Sequence, residues 1–370
     1  MAQTPSLVSD FRSIVLQERP LIDVRAPVEY AKGAFPRTAN LPLMNDEERH
    51  LVGKRYKEAG NEKATELGHQ LVSGEIKAQR IQAWIDQIQR LPQSYLYCFR
   101  GGQRSRISQQ WLADMGILIP RLEGGYKAFR SYLIMQLETI TLNKKIFVLG
   151  GHTGAGKTLL LKKLRESIDL EGLANHRGSS FGRHATGQPT QIDFENALAY
   201  ALIQHDDAMH PHIVVEDESK NIGRCYIPPP LFSQFSAADV ILLETSLEER
   251  IEITYDEYVL ASQQQYDSAL RSGDTPHSWI ETMRHNFQRI YKRLGDKGHR
   301  ELTTLLEEAW IHQQQHHDPS LHKHWIARLL SEYYDPMYAY QIEQKKERVV
   351  FRGNQTEIIE YLQSTISIQR

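Results

Sequence analysis

The chain has 370 residues, of which 40% are hydrophobic and 24% charged, as in a globular protein of two or three domains. No segment reaches the roughly 20 apolar residues of a membrane helix, and the first residues lack the basic start and apolar core of a secretion signal. The two cysteines and the net charge of −2 predict a cytoplasmic protein without disulfides or membrane partner, which would bind nucleic acid only through a local basic surface.

Short strands alternate with helices over residues 1–135, an order that is typical of a parallel sheet in an α/β domain. Apolar runs predict strands at 21–24, 94–98 and 119–123. Helical spacing of apolar residues predicts helices at 64–88, 103–115 and 124–132.

A second α/β region follows a joint at 136–144, with strands predicted at 145–149, 213–215 and 240–243 and helices at 157–167 and 194–205. The segment 169–187, rich in Gly, His, Ser and Arg, is predicted to be a long functional loop. From residue 247 the pattern is helical and charged, with a break at 295–298. We therefore divide the chain into a domain at 1–135, an α/β core at 136–246 and a mainly helical extension at 247–370, packed on that core.

A reactive-cysteine loop lies where the predicted strand 94–98 meets the following helix. Such a loop turns several backbone N–H groups toward the cysteine sulfur, and the helix start and Arg104 add positive potential, which favours a thiolate or a bound anion. We assign catalytic roles to Cys98, Arg100 and Arg104. The whole anion loop consists of Cys98, Phe99, Arg100, Gly101, Gly102, Gln103 and Arg104. A buried structural cysteine is the alternative, and it is our interpretation of Cys225.

Residues 151–158 match the pattern G-x-x-x-x-G-K-[ST] at every fixed position, between an apolar strand and a helix. In this pattern the glycines let backbone N–H groups wrap around a phosphate, the lysine reaches the outer phosphates and the hydroxyl can bind Mg²⁺. We predict a phosphate-binding loop in which Lys157 is catalytic, made of Gly151, Gly154, Gly156, Lys157 and Thr158. A chance match in a glycine-rich turn is the alternative.

The predicted strand 213–215 runs into three consecutive carboxylates, Glu216, Asp217 and Glu218. An acidic residue at the end of such a strand is typical of the Mg²⁺ site of P-loop proteins. We predict a Mg²⁺ site formed by Thr158 with Glu216 or Asp217, between which the sequence does not choose, and no tightly bound organic cofactor. An acidic strand end that faces solvent is the alternative.

Two further groups of polar residues are candidates for substrate contacts. Side chains that could bind a diphosphate or a uridine in the loop after the P-loop helix are His176, Arg177, Ser179 and Arg183, with a mobile polar loop as the alternative. A basic run with the aromatic neighbours Phe287 and Tyr291 suits RNA and contains Arg284, Arg289, Lys292, Arg293, Lys297 and Arg300. A solvated helix face is the alternative interpretation of that run.

Residues 15–135 resemble a rhodanese domain. Besides the Cys98 loop, the resemblance rests on Leu-Ile-Asp-Val-Arg at 21–25, Gly-Ala-Phe-Pro at 33–36, Asn-Leu-Pro at 40–42 and Leu-Glu-Gly-Gly at 122–125. In that family the loop cysteine carries a persulfide sulfur or an equivalent chalcogen. Many rhodaneses have four residues between cysteine and arginine, whereas five separate Cys98 from Arg104. The longer loop favours a larger oxyanion, such as a phosphate-bearing chalcogen donor. Phosphatases with Cys-x₅-Arg are the alternative, although Tyr97 stands where they often have histidine.

Over almost its whole length the chain resembles the tRNA 2-selenouridine synthases. Further marks of this family, in the family's order, are Leu-Pro-Leu-Met-Asn-Asp-Glu-Glu-Arg at 41–49, Asp-Leu-Glu-Gly-Leu-Ala-Asn-His-Arg-Gly-Ser at 169–179, Glu-Asp-Glu-Ser at 216–219, Glu-Tyr-Tyr-Asp-Pro-Met-Tyr at 332–338 and Val-Val-Phe-Arg-Gly at 349–353. The fold class that this implies is α/β, with a rhodanese-like parallel-sheet domain followed by a P-loop NTPase-like α/β domain with a helical C-terminal extension.

The resemblance implies a transferase that acts on tRNA bearing 2-thiouridine at the wobble position, position 34. The sulfur is first geranylated by geranyl diphosphate, and selenium from selenophosphate, supplied by a selenophosphate-producing enzyme, then replaces the alkylthio group. We assign the first step to the P-loop with Mg²⁺ and the second to the Cys98 loop. The alternatives are an ATP-dependent sulfurtransferase or kinase, and a non-catalytic chalcogen carrier that binds RNA. Whether Cys98 carries selenium covalently, and whether the P-loop ever binds ATP or GTP, stays open at this point.

Overall fold

Two compact units are distinguished in the computed structural model, which describes residues 6–141, 144–179, 181–275 and 277–368. The first unit contains Met1–Leu142 and Thr190–Ala208, and the second contains Asn143–Pro189 and Met209–Arg370. Each unit has its own parallel five-stranded sheet, so the predicted α/β class with parallel sheets is confirmed.

The sheet of the first unit has the strand order β1-β5-β4-β2-β3, with every pair parallel. Its strands are β1 (Leu7–Val8), β2 (Leu21–Asp23), β3 (Thr38–Asn40), β4 (Tyr95–Tyr97) and β5 (Arg121–Leu122). Its helices before residue 140 are α1 (Phe11–Leu16), α2 (Pro27–Tyr30), α3 (Asp46–Leu71), α4 (Gly74–Arg90), α5 (Gln103–Asp114) and α6 (Gly125–Thr139). Because the strands are parallel, the loop after β4, which contains Cys98, lies at the carboxyl edge of the sheet, where α/β proteins place their ligands.

The single helix predicted at 64–88 is instead two helices, α3 and α4. The chain leaves the helical conformation at Val72 and becomes extended at Ser73, before α4 begins. Both helices contribute to one core, since Val52 and Leu71 of α3 pack against the cluster that contains Trp84 of α4, so the apolar pattern continues across the break. The spacing of apolar residues therefore concealed the turn.

The second unit has the strand order β12-β11-β6-β8-β7, again all parallel, and a separate antiparallel pair β9-β10. These strands are β6 (Lys145–Gly150), β7 (Ser167–Ile168), β8 (His212–Glu216), β9 (Asn221–Ile222), β10 (Cys225–Tyr226), β11 (Asp239–Leu243) and β12 (Val349–Gly353). The helices of this unit, in chain order, are α7 (Lys157–Leu161), α8 (Leu170–Leu173), α10 (Pro229–Ala237), α11 (Leu247–Tyr255), α12 (Ala261–Ser272), α13 (Trp279–His316), α14 (His322–Arg328), α15 (Asp335–Gln344) and α16 (Gln355–Ile368), whereas α9 (Gln191–Asp207) belongs to the first unit. Asp256–Leu260 and Leu329–Tyr334 are π-helical, and Lys346–Arg348 is a 3₁₀ turn.

One prediction for this region was wrong in detail. The helix expected at 157–167 ends at Leu161, because Lys163 and Leu164 donate their N–H groups to Leu160 and Leu161, three residues back, and tighten the last turn. The segment after 247 is mainly helical, as predicted, and it also contains the strand β12, which joins the edge of the sheet beside β11. Its β-branched start, Val349 and Val350, suits a strand. The predicted break at 295–298 coincides with a kink at Gly295 in α13.

Helix α9 belongs to the first unit, whereas the sequence assigned residues 190–208 to the α/β core of the P-loop. It is attached there by polar contacts in addition to packing. Asn196 Nδ2 donates to the Ala34 carbonyl at 2.6 Å, and the Ala34 N–H donates to Asp193 at 2.7 Å. Arg130 on α6 forms an ion pair with Glu195. Partners this distant in the sequence leave no local signal.

Among the described residues of the second unit, two apolar cores can be distinguished. One lies under the sheet and includes Phe147, Val214 and Ile241, and the other joins the C-terminal helices and includes Phe287 and Trp325. Among the described residues, none of the helices combines the length and apolar character that crossing a membrane requires.

Candidate active sites

The Cys98 loop connects β4 to α5 in the first unit. Cys98 follows the last strand residue directly, and α5 begins at Gln103. The cysteine side chain is buried, and its Sγ lies 3.2 Å from the hydroxyl oxygen of Ser105. The thiol is therefore held at the floor of the loop by the first turn of the following helix.

Gly101 and Gly125 determine the shape of this loop. Gly101 and Gly125 both have left-handed φ values, 63° and 60°, and a Cβ on Gly125 would lie 2.3 Å from the Cys98 carbonyl oxygen and from the Gly101 nitrogen. Only glycine allows this approach of two backbones. The N–H groups of Tyr126 and Lys127 donate to the carbonyls of Cys98 and Phe99 at 2.9 Å. The start of α6 therefore fixes the loop.

A cavity of about 1020 Å³ opens over Cys98, and its described charged lining residues are mostly cations. Arg104 forms a bidentate ion pair with Glu29 (2.5 and 3.1 Å), and Arg49 contacts the same carboxylate at 3.1 Å. Burial alone would raise the pKa of Glu29, but hydrogen bonding and charge from Arg104 outweigh it, and the pKa is lowered. The other basic lining residues are His50, Lys54, Lys57 and Arg100. This environment attracts anions, and all residues of the predicted loop except Gly101 line it.

The P-loop of the second unit runs from the end of β6 to α7. Gly151, Gly154 and Gly156 have φ values of 144°, 77° and 82°. A Cβ on Gly154 would lie 2.4 Å from the Thr254 hydroxyl, so α11 packs directly on the loop backbone. Lys157 Nζ donates to the carbonyls of Gly151 and His152 at 3.0 and 3.1 Å, which places the ammonium group over the loop. This geometry can bind phosphate groups.

A partly buried ion pair that the sequence did not predict braces the P-loop. Arg250 on α11 donates to the Thr153 carbonyl at 2.9 Å and forms a bidentate pair with Asp335 at 2.6 and 3.1 Å. His152 contacts the same carboxylate at 3.1 Å. Asp335 belongs to the Tyr-Tyr-Asp-Pro-Met segment noted above, which was the only sequence signal for it.

The carboxylates predicted for Mg²⁺ have other contacts. Both oxygens of Asp217 accept from Lys345 at 2.5 and 2.6 Å. Glu216 is buried, with one oxygen accepting from the Leu170 N–H at 2.9 Å and the other without a partner among the described residues. Burial raises the pKa of Glu216 well above its ordinary value. That Glu216 or Asp217 binds Mg²⁺ stays a prediction.

The carboxylate nearest to the P-loop hydroxyl is one that the sequence analysis missed. Thr158 Oγ1 donates to Glu171 at 3.2 Å. Burial, and then the charge of Glu171, raise the pKa of Glu218 well above its ordinary value, so the two carboxylates are neighbours. Within the described ranges no group of three or more His, Cys, Asp and Glu residues is arranged to hold a metal. Mg²⁺, however, needs only one or two carboxylates besides waters and substrate phosphates. Thr158, Glu171 and Glu218 fit that requirement.

A cavity of about 370 Å³ adjoins the P-loop, and three of the four predicted substrate residues line it: His176, Arg177 and Ser179. Arg183 is exposed and lies outside the lining that the structure describes. Burial lowers the pKa of His176, whose Nδ1 has no hydrogen-bond partner among the described residues. The rings of Tyr258 and Tyr338 form part of the wall. Ser180, within the predicted functional loop, lies outside the described residues.

The predicted RNA-binding run lies on α13, and its basic side chains are exposed. Arg284 forms an ion pair with Glu307 at 2.6 Å, and Arg293 donates to the Tyr333 hydroxyl at 3.4 Å. The assignment of Phe287 to this surface was wrong, because Phe287 is buried in the helical core against Phe181 and Trp325. Phe287 lies on the inward face of the helix that carries the basic residues. The basic neighbours in the sequence do not indicate this orientation.

These features define a two-unit α/β protein with a cysteine loop beside a cavity that carries several cations and with a P-loop. Residues 144–368 match the family model described as the tRNA 2-selenouridine synthase AAA domain. The chain is 56% identical to the tRNA 2-selenouridine synthase of Sulfurovum sp. (strain NBC37-1), and 47% identical to those of Shewanella frigidimarina (strain NCIMB 400) and Pseudomonas syringae pv. syringae (strain B728a). Each comparison covers 96% of this chain and 97% of the relative.

The chain therefore belongs to the tRNA 2-selenouridine synthase family, which confirms the resemblance inferred from the sequence and the prediction of an enzyme. A solved structure, the N-terminal domain of a Clostridium difficile 630 protein named for ATP/GTP binding, matches 35% of this chain and 99% of that domain at 28% identity. Its TM-score is 0.31. The likeness of the first unit to a rhodanese domain stays a prediction.

Proposed function

We propose that this enzyme converts 2-thiouridine at the wobble position of tRNA to 2-selenouridine, by way of S-geranyl-2-thiouridine. The observation that carries the proposal is the 46–56% identity, over nearly the whole chain, to relatives named tRNA 2-selenouridine synthase. The co-substrates are geranyl diphosphate and selenophosphate, the latter from a selenophosphate-producing enzyme, and the reaction takes place in the cytoplasm.

The geranyl step takes place at the P-loop. The thiocarbonyl sulfur attacks C1 of geranyl diphosphate, the new C–S bond forms as the C–O bond breaks, and pyrophosphate departs with the electron pair. The base loses its N3 proton to solvent, which leaves neutral S-geranyl-2-thiouridine. Lys157 and Arg177 line the cavity and stabilise the negative charge that develops on the leaving group. Mg²⁺ held by Thr158 and Glu171 would add further charge neutralisation. The aromatic rings of Tyr258 and Tyr338 offer an apolar wall for the prenyl chain.

The selenium step takes place at the Cys98 loop, whose cationic cavity suits the dianion selenophosphate. Its selenium attacks C2 of the S-geranylated base, the C2–Se bond forms, and the C2–S bond breaks with its electrons going to sulfur. Protonation releases geranyl thiol. A perselenide on Cys98 would need an oxidant, because its sulfur and the incoming selenium are both fully reduced, whereas this displacement needs none.

The base then carries selenium that is still bonded to the phosphoryl group. The Cys98 thiolate attacks phosphorus, the Se–P bond breaks to release 2-selenouridine, and water hydrolyses the S–P bond to free phosphate. Five residues between cysteine and arginine make room for such an oxyanion, and the Ser105 hydroxyl lies 3.2 Å from the sulfur. Thiolates act as nucleophiles in this way when positive potential stabilises them.

Two cationic surfaces support binding of the tRNA substrate. One is the rim of the Cys98 cavity, with Lys54, Lys57 and Arg100, and the other is the exposed basic face of α13. Lysine and arginine at both surfaces can neutralise RNA phosphates, so affinity should fall steeply with salt.

The complete P-loop motif favours a second candidate, an ATP-dependent sulfurtransferase or kinase. Nucleoside mass spectrometry decides between the two. The protein is incubated with 2-thiouridine tRNA, Mg²⁺, geranyl diphosphate and selenophosphate, and each donor is omitted in turn. We expect the geranylated nucleoside without selenophosphate and the selenated nucleoside with both donors. Unchanged 2-thiouridine with active donors, together with tRNA-stimulated ATP hydrolysis, would favour the second candidate, and tRNA binding alone would favour a carrier.

A further inference from the structure

A second, apolar cavity lies beside the Cys98 cavity in the first unit. Its volume is about 120 Å³. The wall is formed by α3 and the residues around it, together with the start of α5, and its apolar members include Met44, Val52, Ala64, Val72, Ile107 and Trp111. The proposed phosphate chemistry gives an apolar cavity of this kind no role.

The two cavities share part of their walls. Six residues line both of them: Met44, Val52, Tyr56, Asn61, Gln103 and Arg104. Gln103 and Arg104 belong to the anion loop itself, so one face of these residues borders the cationic cavity and the other borders the apolar one. A ligand at this boundary would place a charged group over Cys98 and an apolar group between α3 and α5.

We propose that the apolar cavity binds an isoprene unit of the geranylthio group while that group leaves. This inference rests on the proposed function, in which the S-geranylated base is the substrate of the Cys98 loop. Size favours one isoprene unit over the whole geranyl chain, since apolar cavities of about 150 Å³ bind a guest the size of benzene. The cavity would thereby select the S-geranylated base over other S-alkylated bases, and it would hold the leaving sulfur beside the anion loop.

Gly68 provides a way to fill the cavity without straining the backbone. It lies within α3 and lines the cavity, and a Cβ at this position would have Val52 Cγ2 as its nearest neighbour, at 3.8 Å. In Gly68→Leu the new side chain would occupy the space proposed for the isoprene unit. Ala59→Leu is the matched control, because Ala59 is exposed on the same helix and is absent from the described linings of both cavities.

The experiment uses the full chain with selenophosphate and two tRNAs, one carrying S-geranyl-2-thiouridine and the other S-methyl-2-thiouridine. The kcat/KM for selenation is measured for each. We expect the wild type to prefer the geranyl substrate by at least about 10-fold, since each methylene in an apolar pocket contributes discrimination of about this size or more. Gly68→Leu should lose this preference through a higher KM for the geranyl substrate, whereas Ala59→Leu should keep it.

Turnover of the S-methyl substrate by Gly68→Leu reports that the variant is folded and that its anion loop is intact. If Gly68→Leu does not fold, Val52→Phe fills the same cavity from another position. Equal use of both substrates by the wild type, or an unchanged preference in a folded Gly68→Leu, would overturn the cavity assignment and leave the selenation step standing. Failure of the wild type to selenate either substrate, with active donor, would instead reject the proposed function and this inference with it.

Discussion

The two anion sites differ in where they place negative charge. Around Cys98, the carboxylate among the described lining residues is Glu29, and Arg104 and Arg49 already pair with it. The P-loop cavity has Asp169, Glu171 and Glu257 in its wall beside its cations. A site with spare cations binds an anion directly, whereas a site that mixes carboxylates with cations suits an anion together with a metal ion. The two proposed steps should therefore be separable.

Replacing Cys98 should have the largest effect. In Cys98→Ser the hydroxyl does not ionise at neutral pH, so we expect formation of 2-selenouridine to fall by at least about 10³-fold. Geranylation of 2-thiouridine should be unchanged. Mass spectrometry of the nucleosides should detect a species that carries selenium and one phosphoryl group.

Cys225→Ser is the control, because Cys225 is the other buried cysteine and lies in the second unit. Selenouridine formed by Cys98→Ser at the wild-type rate would show that Cys98 is dispensable. Accumulation of S-geranyl-2-thiouridine by Cys98→Ser would place Cys98 in the displacement itself and would rule out its proposed role at phosphorus.

Lys157→Ala tests whether the P-loop serves geranylation alone. The variant removes a cation from the pyrophosphate site, and we expect geranylation to slow by about 10²- to 10³-fold. Selenation of tRNA that already carries S-geranyl-2-thiouridine should proceed normally. Lys163→Ala is the control, since Lys163 is exposed and donates to Gln355 at 2.8 Å. Normal geranylation by Lys157→Ala would remove the P-loop from this step.

Magnesium dependence should distinguish the sites with a smaller effect. Chelation should stop geranylation and leave selenation of the S-geranyl substrate intact. Glu171→Gln keeps the shape of the side chain but removes its charge, so the Mg²⁺ concentration for half-maximal geranylation should rise by about 10-fold. A higher half-maximal Mg²⁺ concentration in Asp217→Asn, with Glu171→Gln unaffected, would instead support Asp217, which follows β8, as the Mg²⁺ ligand.

The sequence predicted the parallel strands and both loops because these features are local. A strand that ends directly before Cys98 or at Gly150, followed by glycines and a helix, is a pattern of neighbouring residues. The sequence did not predict the supports of these loops, because they depend on distant residues. Gly125 contacts the Cys98 loop from α6, and Asp335 reaches the P-loop through Arg250.

Dependence on distant residues also explains why the sequence analysis did not identify Glu171 as a candidate Mg²⁺ ligand. Asp217 is adjacent to the strand and fits the local pattern, but Lys345, 128 positions later, occupies its carboxylate. Glu171 lies in a segment that the sequence identified only as a loop, and its contact with Thr158 depends on how that segment folds back. Residue type and strand position thus located the edge of the sheet that carries the site, but they did not identify the carboxylate that faces the hydroxyl.

A last difference between the units concerns stability and should leave activity at neutral pH unchanged. His322 in the second unit is fully buried, accepts a hydrogen bond from Trp325 Nε1 at 2.8 Å through Nδ1, and contacts Gln313 at 2.9 Å through Nε2. Burial lowers its pKa from 6.5 to about 4. The unfolded chain therefore binds a proton at higher pH than the folded chain does, and stability is lost as the pH falls from about 6.5 to 4, by up to roughly 3 kcal/mol.

In His322→Gln this part of the acid sensitivity should disappear. Hydrogen-exchange mass spectrometry of wild type and variant at the same pH tests this for each unit. We expect protection of α13 and α14 to diverge on acidification, while protection of α3 and α5 stays equal. Equal acid sensitivity of α14 in both proteins would show that His322 does not control the stability of this unit.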